Sequence, residues 1–222
     1  ADMRREALRR RVRLLAQDTT LPYLWQDEDI DDWLNEAQQE AAIRARLLRA
    51  TPASHPALCE FSLTAGETAI ALPEQLYEIS YQEWVIGAER RPLKLVSREW
   101  MDTTLPGWRA MPAAEPDYLV QDRQALEVVP PPIAAGSVLI EGYRLPEPMG
   151  ADDEEPGIPL AHHIHLVQWA LHVGYSLPDA ETFNPGKSQA AEAEFARYFG
   201  ARPDADLRAD TRNDETHRIV AW

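Results

Sequence analysis

Cysteine is nearly missing: Cys59 is the only one in 222 residues. A single thiol excludes an intrachain disulfide and a cysteine-rich zinc site, and it suits assembly in a reducing cytosol. Long apolar runs are missing too. None approaches the roughly 18 residues of a membrane-spanning helix. The basic N-terminal stretch is broken by charges, so no secretory core is expected there. Positive charge is scarce: Lys and Arg number 22 against 37 Asp and Glu, a formal net charge of −15. That balance excludes a protein that coats nucleic acid, since phosphate contacts require basic residues in excess. It permits a surface that repels DNA, as a smooth conduit for DNA would need. The HExxH, Gly-rich phosphate-loop and GxSxG signatures do not occur. Cys59 lies near His55 with no evident orienting partner, which reads as a packed thiol rather than a nucleophile. Acidic residues are plentiful, but no pair can be placed across a cleft. There is no positive case for an enzyme or for a cofactor.

What is present is a core. Hydrophobic residues make up 45% of the chain, too many for disorder throughout, and the length suffices for one domain or two small ones. The organising stretch is Pro159–Tyr175, PLAHHIHLVQWALHVGY. Helical spacing puts Leu160, Ile164, Val167, Leu171 and Gly174 on one face, with Pro159 suited to the first helical position. Leu166, Trp169, Ala170 and Val173 form a second apolar patch opposite, leaving a narrow wedge of Ala161, His165, Gln168 and His172 for water. A helix so apolar predicts two sets of neighbours. One face packs on the chain's other helices, and the patch of Leu166, Trp169 and Val173 is expected to meet a second subunit.

The N-terminal region reads as two helices. Residues 1–17 form a basic amphipathic helix with a stripe of Leu8, Val12 and Leu15. Its arginines Arg4, Arg5, Arg9, Arg10, Arg11 and Arg13 are read as pairing with Asp27, Glu28, Asp29, Asp31 and Asp32, or with acids of neighbouring subunits. Contact with DNA or an acidic partner is the competing reading. The second helix starts at Asp27, a candidate cap, with Glu28 and Asp29 favourable in the first turn. Its stripe of Ile30, Trp33, Leu34, Ala37, Ala41 and Leu48 carries two alanines that admit a close partner helix, and the central helix is the obvious one. It ends before Thr51-Pro52.

Residues 53–148 change character. Short strands are expected at Phe61–Leu63, Ala69–Leu72, Leu76–Ile86, Pro92–Val96, Asp117–Val120, Ala125–Val129 and Ser137–Leu145, with one or two helical turns capped by Ser97. No long helix intervenes, which suggests a small antiparallel sandwich or barrel. An acidic linker with Asp152, Asp153, Glu154 and Glu155 follows. The last helix runs over Lys187–Phe199, with Ala191, Phe195, Tyr198 and Phe199 for packing and Gly200 as its stop. The fold expected is therefore α+β. A helical bundle comes from residues 1–52 and 149–200, a β domain is inserted at 53–148, and residues 201–222 trail as an extended arm. That arm is polar until Ile219, Val220 and Trp222, so a tethered binding arm and a frayed end both fit. Of the histidines in the central helix, His162 and His165 are spaced to share a metal. They lack an evident third ligand unless Asp152 or Asp153 supplies it.

The order of features is similar to a known family. DEDIDDWLNEAQQE lies in an N-terminal helical pair. FSLTAGETAIALPEQLYEI, LKLVSREWMD, PDYLVQD, ALEVVPPP and LIEGYRLPEP form a strand block. IPLAHHIHLVQWALHVGYSLPDAETFNPGKSQ precedes a terminal helix. Over residues 1–200 this resembles the head-to-tail adaptor (connector) proteins of tailed phages, especially short-tailed ones. The resemblance implies a structural virion protein assembled in the host cytoplasm: a dodecameric ring beneath the portal, with the tail nozzle and fibres on its other face. DNA would pass through the channel without sequence-specific binding. It also implies that the C-terminal segment docks on the portal, here through Arg218, Ile219, Val220 and Trp222. Two other readings are weighed against it. One is a carbohydrate-recognition or tail-fibre-attachment module using Tyr81, Trp84, Trp100 and Trp108. The other is a metal-dependent hydrolase built on the histidines.

Overall fold

The computed structural model of the chain describes residues 3–123, 125–178 and 181–203. The helices are α1 (Arg5–Ala16), α2 (Asp27–Ala45), α3 (Pro56–Cys59), α4 (Arg98–Thr104), α5 (Leu166–Ser176) and α6 (Pro185–Phe199). The strands are β1 (Arg49–Ala50), β2 (Glu60–Leu63), β3 (Ala69–Ala71), β4 (Leu76–Ile86), β5 (Glu89–Pro92), β6 (Lys94–Ser97), β7 (Tyr118–Asp122), β8 (Ala125–Val129) and β9 (Gly136–Arg144). The protein is mixed α+β and divides into two compact units. One comprises Ala1–Leu48 with Leu145–Arg202, and the other is built on Arg49–Arg144.

In the helical unit α5 touches α1, α2 and α6. Ala37 and Ala41 of α2 are fully buried, and α2 lies against α5 as their small side chains permit. Gly174 matters here: a Cβ on it would stand 2.7 Å from the Trp25 ring. That ring meets Trp33 and Tyr175 edge to face, so nothing larger than glycine fits. Asn184 accepts from the Lys187 amide at 3.0 Å and caps α6, and Gly200, at φ 97°, ends it.

Three local expectations are corrected. The central helix is not continuous: Leu160–His165 is a 3₁₀ segment and α5 starts only at Leu166. A 3₁₀ turn advances about 120° per residue instead of about 100°, so the stripe rotates along this segment. Leu160 ends up 60% exposed, and His163 points inward at 2%. His163 Nε2 donates to the carbonyl of Ile158 at 2.7 Å. On α1, Leu8 and Val12 are buried but Leu15 is 47% exposed, because the inner row continues at i+4 to Ala16, which packs on the core. Asp27 is the first residue of α2 rather than its cap, with Gln26 in the cap position.

The second unit contains two sheets. One has the order β1-β9-β4-β5, with β2 also on β9; the other has the order β3-β8-β7-β6. Leu63, Trp84, Val138 and Ile140 of the first sheet share a cluster with Ile70, Leu95, Leu119, Leu126 and Val128 of the second. The expectation of an antiparallel domain fails at one pair: β6 and β7 run parallel, with Leu95 opposite Leu119. A parallel pair needs a crossover rather than a hairpin. Residues 98–117 supply it, with α4 and the 3₁₀ turn Trp108–Ala110 on the way. Ser97 caps α4 as expected, its Oγ accepting from Trp100 N at 3.0 Å. The sheets do not close into a barrel.

Candidate assembly surfaces

The arginines of α1 separate into two sets by helix face. Arg5, Arg9 and Arg13, each one turn apart, face the acids. Arg9 grips Asp31 with a two-pronged fork, Nε to Oδ1 at 2.8 Å and Nη2 to Oδ2 at 2.7 Å, and also reaches Asp152. Arg5 donates to Asp152 at 2.8 Å and to the carbonyl of Met149 at 3.1 Å. Arg13 donates to Asp18 at 2.7 Å and to the Trp25 carbonyl at 2.9 Å, and it also reaches Asp27. The hydrogen bonds to Asp31, and less so to Asp152, hold the Arg9 guanidinium well above its usual range despite partial burial. Those from Arg5 and Arg9 hold the Asp152 carboxyl below the usual carboxylate range.

Asp152 belongs to the stretch read as an acidic linker, which is pinned in place. Asn35 accepts from Met149 N at 2.7 Å and donates to Met149 O at 3.2 Å. The fully buried Gln38 donates to Glu147 O at 2.9 Å and accepts from Gly157 N at 2.9 Å. The first amides of α1, those of Arg5 and Glu6, bond to the carbonyls of Glu154 and Asp152, which satisfies donors a helix start leaves open. The sequence carried Asn35 and Gln38 only as polar positions on α2. The structure shows Gln38 fully buried and Asn35 half-buried, beside α2's apolar stripe.

The other set, Arg10 and Arg11, is exposed. Beside it lies an open groove of about 510 Å³, lined by Met3, Leu14, Tyr23 and Ile164 together with these two arginines. Leu14 is 65% exposed. The expected subunit patch is different: Leu166 and Trp169 are buried by the chain itself. Phe195 of α6 lies 5.2 Å from Trp169, centroid to centroid, and Arg44 sits over the same indole. Of the three residues only Val173 keeps exposed surface, because α6 occupies the face assigned to a sister copy.

The remaining site residues fall as follows. Trp84 and Trp108 are buried and Trp100 is half-buried, leaving Tyr81, at 41% exposure, as the most open ring of that set. A stacking platform for a sugar needs open ring faces. His162 Nδ1 meets the Tyr198 hydroxyl at 3.1 Å, His165 stacks on the Tyr198 ring at 3.5 Å, and Asp152 is held by arginines. No group of three metal-ligating side chains occurs among the described residues. Cys59 is buried, and burial pushes its thiol up. Arg218, Ile219, Val220 and Trp222 lie outside the described residues.

Burial, followed by the nearby His162 and Arg197, lowers the His165 pKa from 6.5. The sign follows directly. As pH falls below 6.5 the unfolded chain takes up this proton before the folded one does, so stability declines. Above that range both states are neutral and the effect vanishes. Urea unfolding at pH 7.5 and at pH 5.5 is expected to show a larger acid loss for the wild type than for His165→Phe, which keeps the stacked ring without the titration. Equal losses in the two proteins would contradict this.

What the geometry offers is surface: a basic-apolar groove, ordered charge ladders and half-buried histidines packed on Tyr198. These are the attributes of a structural component of an assembly. Comparison with protein families identifies it further. The sequence profile of the SU10 adaptor protein family matches residues 3–218, and the chain belongs to that family, within the phage head-to-tail adaptor class that its sequence resembled. Membership makes it a virion component with a structural role among head and tail proteins. A search of curated proteins returned no match. Among the described residues no helix is long and apolar enough to cross a membrane.

Proposed function

We propose that this protein forms a ring, a dodecamer by its resemblance, between the portal and the tail nozzle of a short-tailed phage. It carries no catalysis and leaves a channel through which DNA passes without sequence-specific binding. The observation that carries the reading is the family match across residues 3–218. The net charge of −15 supports it, since an acidic wall repels the phosphate backbone. Portal docking is assigned to the C-terminal residues Arg218, Ile219, Val220 and Trp222. An apolar tip on a polar strand anchors weakly once and strongly when repeated around a ring.

Deletion of residues 201–222 tests the docking assignment. The truncated chain is expected to give the far-ultraviolet circular dichroism of the folded protein and to lose binding to DNA-filled, tailless heads of its phage in co-sedimentation. Undiminished binding would refute it. Four single substitutions, Arg218→Ala, Ile219→Ala, Val220→Ala and Trp222→Ala, then rank the contacts.

A further inference from the structure

Two exposed faces of the helical unit have opposite charge. On α1 the outer face carries Arg10 and Arg11, neither of which has an ion-pair partner among the described residues, next to the groove that exposes Leu14. On α2 the outer face carries Glu28, Asp29, Asp32 and Glu36, all exposed and likewise without ion-pair partners among the described residues. Glu28, Asp32 and Glu36 are spaced i, i+4, i+8, a like-charge row that weakens a helix unless something neutralises it. In a chain of net charge −15, two unpaired arginines beside exposed leucine are the complement of that row.

The two faces do not satisfy each other within one chain: among the described residues no ion pair joins Arg10 or Arg11 to Glu28, Asp29, Asp32 or Glu36. Helices α1 and α2 meet through Arg9 and Arg13 against Asp27 and Asp31. At about 100° per residue, Arg11 and Leu14 lie on the far side of α1 from Arg9 and Arg13, and Arg10 lies between the two faces, lining the groove together with Arg13. On α2, Glu36 is turned well away from the Asp27 and Asp31 edge, while Glu28 and Asp32 border it beside Arg5 and Arg9. Complementary patches at two different places on one molecule are the requirement for head-to-tail association, which closes into a ring when the rotation permits.

We propose that the outer face of α1, through Arg10, Arg11 and Leu14, docks on the acidic outer face of α2 of a second copy of this chain. The proposal rests on the ring reading above and specifies its subunit contact. The guanidinium groups neutralise Glu28, Asp32 and Glu36, and the approach of α2 takes Leu14 out of water.

Analytical ultracentrifugation of the full chain at low salt tests this, with two charge-reversed variants, Arg10→Glu/Arg11→Glu and Asp32→Arg/Glu36→Arg. Wild type is expected to self-associate, and more weakly as salt screens the pairs. Each variant alone is expected to associate at least about 100-fold more weakly, because like charges then face each other. An equimolar mixture of the two is expected to recover association, since every contact becomes complementary again. Circular dichroism of each variant verifies folding, and all the substituted positions are exposed. A wild type that stays monomeric to about 1 mM, variants that associate like wild type, or a mixture that does not recover would each overturn the proposal. Portal binding in the truncation experiment is a separate readout, so a failure here leaves the docking assignment standing.

Discussion

Replacing Arg13 by methionine, or Asp18 by alanine, is expected to destabilise the helical unit by about 3–5 kcal/mol, the cost of breaking a buried ion pair on one side. The pair is deeply enclosed, the Arg13 side chain being 8% and the Asp18 side chain 2% exposed. Each residue also holds more than the other. Asp18 accepts from Leu24 N at 2.9 Å. Arg13 donates to Trp25 O at 2.9 Å and lies 3.8 Å over the Tyr23 ring. Together they bend residues 18–25 so that Trp25 enters the core against Trp33, Tyr175 and Gly174. Loss of Arg13 leaves the Asp18 carboxylate buried without its cation, and loss of Asp18 leaves Arg13 with only the more exposed Asp27 as a carboxylate partner. The Arg13→Met/Asp18→Ala double variant should therefore lose clearly less than the sum of the two singles, a coupling that a cycle of urea denaturations measures. Additive losses would mean that each residue acts through its backbone contacts alone.

The second large effect belongs to Gly142 in β9. Register shifts in β4 occur between Leu76 and Glu78 and between Ile79 and Tyr81, and Gly142 pairs with Ile79 between them. The bulged strand brings the Glu78 carbonyl oxygen to 2.1 Å from where a Cβ on Gly142 would stand. Backbone cannot rotate aside as a side chain can, so Gly142→Ala must break or re-register the β4–β9 pairing. The expected loss is about 3 kcal/mol, the upper end for overpacking a filled site. Hydrogen exchange read by mass spectrometry localises the outcome: faster exchange in Leu76–Ile86 and Gly136–Arg144, with α1, α2, α5 and α6 unaltered. Native-like protection in both strands would show that the sheet accommodates a methyl group.

These effects are instructive because neither was legible beforehand. Gly142 sits in a strand whose composition is ordinary, and only the bulges opposite make a hydrogen obligatory there. Arg13 belongs to an arginine-rich helix whose pairing with acids is a fair expectation, and Asp27 and Asp31 were among the candidates. Asp18 falls between the two N-terminal helices with no sign of a partner, and Asp152 looked like part of a linker. Asp152 is 147 residues from Arg5, a separation at which composition says nothing about approach. The assembly surfaces show the same division. Eleven residues of α5 are too apolar to be solvated, and that much is local. Whether Trp169 meets Phe195 of the same chain or a sister copy depends on where α6 docks.

The chain's own letters determined what short-range chemistry determines. They set the α+β class, the cap of α4, the glycine stop of α6, the alanine row that lets α2 approach α5, the excess of negative charge, and a family resemblance. Periodicity, capping and composition act over a few residues, so they can be read one segment at a time. The tertiary structure alone decided the parallel β6–β7 pair, the 3₁₀ turn that exposes Leu160, and the burial of Leu166 and Trp169. It also decided which arginines of α1 are spent on internal acids and which remain outward. Those outcomes follow from excluded volume and from competition among distant groups for the same partners, and such competition is settled only when all the segments are packed at once.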